Sequence, residues 1–368
     1  MKALIVRPPA PGVSLVDVPA PTLTTGAVLV DVLECGVCGT DHDIVDGKYG
    51  RPPAGAPELI LGHENFGRVR ALAPGIAGFR PGDGVVATVR RGCGRCRFCR
   101  TNRSDFCETG AFTERGISGA HGFMAEQYVE VPEYLVRVPP ALERVAVLLE
   151  PLSVVEKAVF QGQRVLDRKE PTPGEPKVGA PSALVAGTGA IGMLAAFVLR
   201  VRGYDVLAVD RHDGPTLASQ LLARAGASHA NVAGGFAGLA DRRFDLVVEA
   251  TGSVALDFTL VDRLGPNGVL VLTGIPDPAS PPTNVAGGAL FRDVVLGNQA
   301  IVGSVNANRT YFESGLRDLT VIEERWPGAM REMVGRRIAL EDGPSVFATR
   351  GPPTVKTVLE VPPSDPSR

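Results

Sequence analysis

The chain has 368 residues, 44% of them hydrophobic and 21% charged, with 38 basic and 40 acidic side chains giving a formal net charge of −2. That length exceeds one ordinary hydrophobic core and implies two domains. The near-balance of charge gives no electrostatic reason to expect nucleic acid or anionic lipid as a partner, and the composition is that of an ordinary globular protein.

In chain order, the opening apolar run Ala3 to Val6 stops at Arg7-Pro8-Pro9, short of a signal-peptide core, which points to a cytoplasmic protein. Six cysteines in a reducing compartment are then expected as metal ligands or buried thiols rather than disulfides. Short apolar runs, including Val28 to Leu33, alternate with Pro and Gly punctuation and predict an antiparallel β start. Cys35-Gly36-Val37-Cys38-Gly39-Thr40-Asp41 follows, and its CxxC is either a redox pair or part of a metal site. His63 and Glu64, in Gly62-His63-Glu64, add an imidazole and a carboxylate. With Cys38 they supply the ligand types of a catalytic zinc that keeps one position open, although each alone reads equally as a buried thiol or a loop histidine.

Cys93, Cys96, Cys99 and Cys107 form C-x2-C-x2-C-x7-C, the most specific metal signal in the chain. Four thiolates so close can close a tetrahedral structural zinc site; an iron–sulfur cluster is the competing use, but the ferredoxin spacings differ. Residues 166–181 are charged and proline-rich and predict a surface connection between domains.

Beyond it, Ala183 to Ala186 leads into Gly187-Thr188-Gly189-Ala190-Ile191-Gly192 and a second apolar run to Leu199. This predicts strand, tight turn and helix, with the helix N-terminus offered to a dinucleotide pyrophosphate. The glycines also interrupt the longest apolar stretch, so no membrane span is expected. The next strand ends at Asp210, 18 residues after Gly192, where an acid accepts the ribose hydroxyls of NAD and repels the 2′-phosphate of NADP. Arg211 and His212 beside it argue the other way, since cations can hold a phosphate. NAD is favoured, with NADP left open. Phe244 to Gly252 and Gly268 to Gly274 predict two more buried parallel strands, so Thr251 and Thr273 are candidates either for nicotinamide contacts or for turn structure. The last residues, 364–368, are expected to fray.

Taken together, the Cys-Gly-Val-Cys-Gly-Thr-Asp stretch, Gly-His-Glu, the four clustered cysteines and the late glycine turn resemble the zinc-dependent medium-chain alcohol and polyol dehydrogenases, from about residue 25 to residue 275. Arg90-Arg91-Gly92-Cys93, Glu114-Arg115-Gly116-Ile117, Gly119-Ala120-His121-Gly122, Leu149-Glu150-Pro151-Leu152 and Gly303-Ser304-Val305-Asn306 are similar to the glucose (aldose) 1-dehydrogenase branch. The resemblance implies an α/β protein with a β-rich, GroES-like catalytic domain (1–181, completed by 308–368) and a doubly wound Rossmann domain (182–307).

It also implies that Cys38, His63 and Glu150 hold a catalytic zinc, with Glu64 a close or exchanging ligand, and that the cysteine lobe holds a second, structural zinc. Thr40 would hydrogen-bond the reacting hydroxyl, Asp41 would orient His63, and Glu114, Glu150 and Asn306 would meet sugar hydroxyls. In two places the chain departs from its relatives: Phe291 stands where they carry a sugar-facing histidine, and Asp43, preceded by His42, stands where many end their proton path. The implied activity is hydride transfer from C1 of an aldose such as D-glucose to NAD(P), giving the lactone, in a homodimer or homotetramer. A polyol, threonine or simple alcohol dehydrogenase is the alternative within the superfamily, and a nucleotide-binding protein without catalysis is the alternative outside it.

Overall fold

The computed structural model describes residues 1–168, 179–239, 241–277, 279–348 and 355–362. Most of the connection expected at 166–181 and the tail at 364–368 lie outside the described residues. The chain separates into two compact units, one of residues 1–153, 306–320 and 330–368 and the other of 154–305 and 321–329.

In the first unit, period-two patterning produces antiparallel structure. β1 (Lys2–Arg7) pairs antiparallel with β2 (Ala10–Asp17). β3 (Val28–Val37) alternates, with Val28, Val30 and Val32 buried, and runs into the short helix α1 (Gly39–Val45). β4 (Leu59–Ile60) joins β1, and β5 (Glu64–Leu72) and β6 (Gly84–Ala87) extend the sheet from β3. A small sheet of β7 (Arg90–Arg91), β8 (Thr113–Arg115) and β9 (Gly119–Ala120) follows. Next come β10 (Gln127–Glu130), which pairs with β3, and β11 (Leu135–Arg137), which pairs with β6. The core between these strands collects Val28, Val30, Val32, Leu61, Val85 and Phe123, with the Phe123 and Tyr128 rings edge to face at 4.7 Å. The division between units falls within α2 (Leu149–Leu166).

Nearly continuous apolar runs mark the second unit, as strands covered on both faces require. β12 (Ser182–Ala186), α3 (Ala190–Val201), β13 (Asp205–Asp210), α4 (Leu217–Arg224), β14 (Ser228–Asn231), β15 (Phe244–Glu249), α5 (Val254–Val261), β16 (Leu264–Leu272), α6 (Gly287–Leu296) and β17 (Ala300–Gly303) alternate along the chain. All five strand pairs are parallel, in the order β14-β13-β12-β15-β16-β17. This is the doubly wound dinucleotide-binding order, and its direction reverses between β12 and β15.

The chain then returns through α7 (Arg309–Arg325), α8 (Ala329–Met333), β18 (Val334–Ala339), α9 (Gly343–Ala348) and β19 (Lys356–Glu360). β19 lies antiparallel against β3, with Thr357 opposite Val37 and Glu360 opposite Glu34. The last strand therefore seals the sheet at the stretch that leads into Cys38.

Candidate active site

The β3–β5 register sets Gly36 opposite Glu64. A Cβ on Gly36 would lie 1.9 Å from Glu64 Oε2, so the missing side chain is what gives the carboxylate its space. Cys38 stands immediately before α1, where its backbone N–H donates to Asp41 Oδ2 at 2.9 Å. One ligand atom each from Cys38, His63 and Glu64 lies within 4.8 Å of the other two. Asp41 is fully buried, and its Oδ1 is 3.4 Å from His63 Nδ1. Burial alone would lower the His63 pKa, but Asp41 and Cys38 outweigh it and hold the imidazole well above its ordinary value. Neither Asp41 Oδ1 nor His63 Nδ1 completes a well-aligned hydrogen bond among the described residues. A soft thiolate, an imidazole and a carboxylate converging with buried, under-satisfied polar atoms fit a Zn²⁺ ion.

Glu150 lies in the first turn of α2, outside that close set. Its carboxyl is pushed up to about 7, first by burial and then by Glu64, while His63 pulls it down. The Thr40 hydroxyl is 4.0 Å from Cys38 Sγ. Asp43 is exposed and pairs with Lys48 at 3.3 Å, whereas the His42 ring rests against Phe347 with centroids 5.1 Å apart. Cys35 is a core residue.

Sequence reading missed Lys356, which is buried on β19. Its ammonium pairs with the Glu64 carboxylate and donates to Val37 O at 2.9 Å. Burial would depress its pKa, yet Glu64 and Cys38 hold it above the usual lysine value. The available signal was a lysine within the short β-branched run Val355-Lys356-Thr357-Val358-Leu359, in a chain with only six lysines.

The Sγ atoms of Cys93, Cys96, Cys99 and Cys107 also gather within 4.8 Å of one another, and all are free thiols. The amides of Cys96 and Cys99 point at Cys93 Sγ (3.5 Å) and Cys96 Sγ (3.4 Å). At Cys93 the Thr109 hydroxyl, then the amides of Arg95 and Cys96, push the thiol down to about 5, and a closed four-sulfur set fits a structural zinc.

Close by, Glu114 and Asn306 are buried together. Asn306 Nδ2 donates to Glu114 Oε1 at 2.8 Å, and Arg90 donates to the same oxygen through Nε (3.1 Å) and Nη2 (2.9 Å). Three donors thus converge on Oε1, while Oε2 has no donor among the described residues. Arg90 itself is held by Asp105 O at 3.2 Å and by the face of Phe112 at 3.9 Å. Phe291, on α6 of the second unit, is exposed.

In the second unit the glycine turn has the steric form its pattern predicts. Gly187 sits at φ +102°, and a Cβ on Gly192 would come within 1.9 Å of Gly187 O, so the turn closes directly on the helix. Gly189 has open space where a Cβ would stand, and Ala190 and Ile191 form the first helical positions. Asp210 ends β13 with its carboxylate accepting from Thr188 Oγ1 and, at 3.0 Å, from the His212 amide; Arg211 is exposed. The hydroxyls of Thr251 and Thr273 both donate to Glu249, to its carboxylate and its carbonyl respectively. Glu249 is fully buried and also receives the amides of Thr251 and Gly252. Sequence reading did not single it out, because within Leu246-Val247-Val248-Glu249 it reads only as a strand end.

Two family models divide the chain. The alcohol dehydrogenase GroES-like domain matches residues 24–140 and the glucose dehydrogenase C-terminus matches residues 143–361. With the doubly wound sheet, this pairing defines a medium-chain dehydrogenase. A glucose 1-dehydrogenase of Methanocella arvoryzae is 42% identical over 93% of this chain and 94% of its own, and one of Metallosphaera sedula is 38% identical over 98% of both. Among solved structures, the glucose dehydrogenase of Haloferax mediterranei in complex with NADP, Zn and gluconolactone superposes with a TM-score of 0.86, at 30% identity, over 98% of this chain and 99% of that one. The chain belongs to the glucose dehydrogenase branch of the zinc-dependent medium-chain dehydrogenase family. Among the described residues no helix is long and apolar enough to cross a membrane.

Proposed function

We propose that this chain oxidises the C1 hydroxyl of an aldose, D-glucose or a close relative, to the aldonolactone, passing the C1 hydride to NAD or NADP. The observation that carries the reading is the convergence of Cys38 with buried His63 and Glu64 in a chain 42% identical to a glucose 1-dehydrogenase. Cys38 and His63, with Glu64 or Glu150, would hold the catalytic zinc, and the four-cysteine lobe would hold a second zinc with no open position. When bound, the catalytic zinc acidifies the hydroxyl it polarises, and the nicotinamide ring supplies the hydride acceptor.

The chain's own residues do the rest. Asp41 orients His63 through Nδ1, and Lys356 neutralises Glu64 and holds its carboxylate against β3. The Thr40 hydroxyl takes the substrate's proton toward solvent by way of Asp43 or His42. Glu114 Oε2, with Oε1 already occupied, is the acceptor offered to a sugar hydroxyl, and Asn306 fixes that orientation. A polyhydroxy substrate needs such acceptors, whereas a simple alcohol does not. Steady-state kinetics with glucose, galactose, xylose, sorbitol and ethanol, each with NAD and NADP, test the reading: aldoses are expected to dominate kcat/KM, and turnover of the open-chain alcohols alone would defeat it.

On the cofactor side, the Gly187–Gly192 turn receives the pyrophosphate at the start of α3, and Asp210 favours NAD while Arg211 and His212 admit NADP. Gly192→Ala drives a Cβ into Gly187 O. It is expected to weaken NADH binding, measured by fluorescence titration, at least about tenfold, with a stability loss of about 1–3 kcal/mol in urea melts.

The protein is proposed to act in the cytoplasm, where its six thiols stay reduced. It would assemble as a homodimer or homotetramer. The support is the edge strand β17 with exposed Ile301, next to exposed Val295 and Leu296 on α6, a surface that a second copy would cover.

A further inference from the structure

Asp210 is the residue by which this fold ordinarily chooses between the two nicotinamide dinucleotides, and in this chain its carboxylate is largely taken up by the protein. β14 lies parallel to β13 with His229 opposite Ala208, so the His229 side chain emerges on the same face as Asp210, one step behind it. Its Nε2 is buried and 3.2 Å from Asp210 Oδ1, close enough to pair as a charge but without a well-aligned hydrogen bond among the described residues. Oδ1 also receives the His212 amide at 3.0 Å. Oδ2 receives the Thr188 hydroxyl, and His212 Nδ1 lies 3.4 Å from it. A carboxylate has about four lone-pair sites, so protein donors stand at nearly all of them. Burial on its own would raise the Asp210 pKa, but Thr188, the His212 amide and His229 together hold it below the usual range.

We propose that His229 sets how this chain divides its use between NAD and NADP, by occupying the Asp210 carboxylate that would otherwise read the ribose. The inference rests on the reading that the second unit binds a nicotinamide dinucleotide. An acid with free lone pairs accepts the 2′- and 3′-hydroxyls of NAD and repels a 2′-phosphate. With His229 Nε2 held against Oδ1, the acid has less room to offer those hydroxyls and its charge is partly offset. The exposed Arg211 and the half-exposed imidazole of His212 remain beside it to meet a phosphate. Thr188 performs the same service on Oδ2, but it belongs to the phosphate-binding turn. His229 belongs to no part of the cofactor fingerprint, so it can change selectivity without rebuilding that turn.

The test is fluorescence titration of the purified protein with NADH and with NADPH, for wild type, His229→Leu and His229→Gln. The two ligands differ only in the 2′-phosphate, so a general loss of folded protein cancels in the ratio of their Kd values. In His229→Leu the ratio Kd(NADPH)/Kd(NADH) is expected to rise about three- to tenfold. His229→Gln keeps an N–H donor and is expected to return the ratio to within about twofold of wild type. A ratio unchanged in His229→Leu, with wild type binding both ligands normally, would overturn this role and leave the dehydrogenase reading standing. Wild type that binds neither ligand would overturn both.

Discussion

His63→Ala is expected to lower kcat for glucose oxidation by three orders of magnitude or more while the protein remains folded. His63 is one of three side chains whose donor atoms converge, and it is the one Asp41 holds from behind. Removing it takes the only imidazole from the proposed ligand set and leaves Cys38 with carboxylates, so the ion's hold on the site, and with it the acidification of the sugar hydroxyl, should be lost. The fold should tolerate the change because His63 stands between β4 and β5, outside the apolar core around Val30 and Phe123. The remaining cost is the stranded Asp41 oxygen, about 1–3 kcal/mol. Cys38→Ala should behave the same way. Metal analysis is expected to show about one zinc per chain in either variant against about two in wild type, with a cooperative thermal transition retained. Full turnover in either variant would remove zinc from the mechanism.

The second large effect is expected at the cysteine lobe. From Gly92 to Phe112 the regular structure consists of two short 3-10 turns, Cys99–Thr101 and Ser104–Phe106, with Phe98 and Phe106 paired at 5.7 Å and Arg103 stacked on both rings. With so little regular structure in some twenty residues, ligand bonds from the four sulfurs to the proposed zinc would supply much of the ordering free energy. Cys96→Ser should therefore lose the structural zinc, keep the catalytic one and lower Tm by roughly 5–10 °C. The loss should also reach the sugar end of the site. Asp105, in the second turn, gives its carbonyl to Arg90 and its carboxylate to Asn308, and Arg90 in turn fixes Glu114. A disordered lobe releases that chain of contacts, so KM for glucose is expected to rise about tenfold with a smaller change in kcat. An unchanged Tm and KM in a variant that has lost one zinc would show that the lobe is ornamental.

What could be read from the residues was whatever spacing along the chain determines. The Gly187–Gly192 turn, the Cys93–Cys107 lobe and the apolar runs of β12, β13, β15 and β16 are local patterns: the turn and strands formed where expected, and the four sulfurs gather within 4.8 Å of one another. Thr251 and Thr273 were open between two uses, and the structure has both hydroxyls bound to Glu249. Lys356, His229 and Glu249 escaped because their meaning lies in register. Lys356 matters only through the antiparallel pairing of β19 with β3, which sets it against a carboxylate 292 residues earlier. His229 matters only because a parallel neighbour presents Asp210 on the same face. No periodicity in a single sequence reports such cross-strand encounters, which are decided by tertiary packing.

The closure of β3 by β19 also dictates when this enzyme comes into being. On a ribosome the nascent chain emerges with Glu34 to Val37 as a bare strand border and Glu64 without its counter-charge. Roughly 290 further residues must be made before Lys356 arrives, about 15 to 60 seconds at ordinary elongation rates. Throughout that interval the future metal pocket is an incomplete sheet with an acid buried at its margin, a shape that invites wrong strand partners. The pairing of Lys356 with Glu64 can therefore form only after β19 has been made.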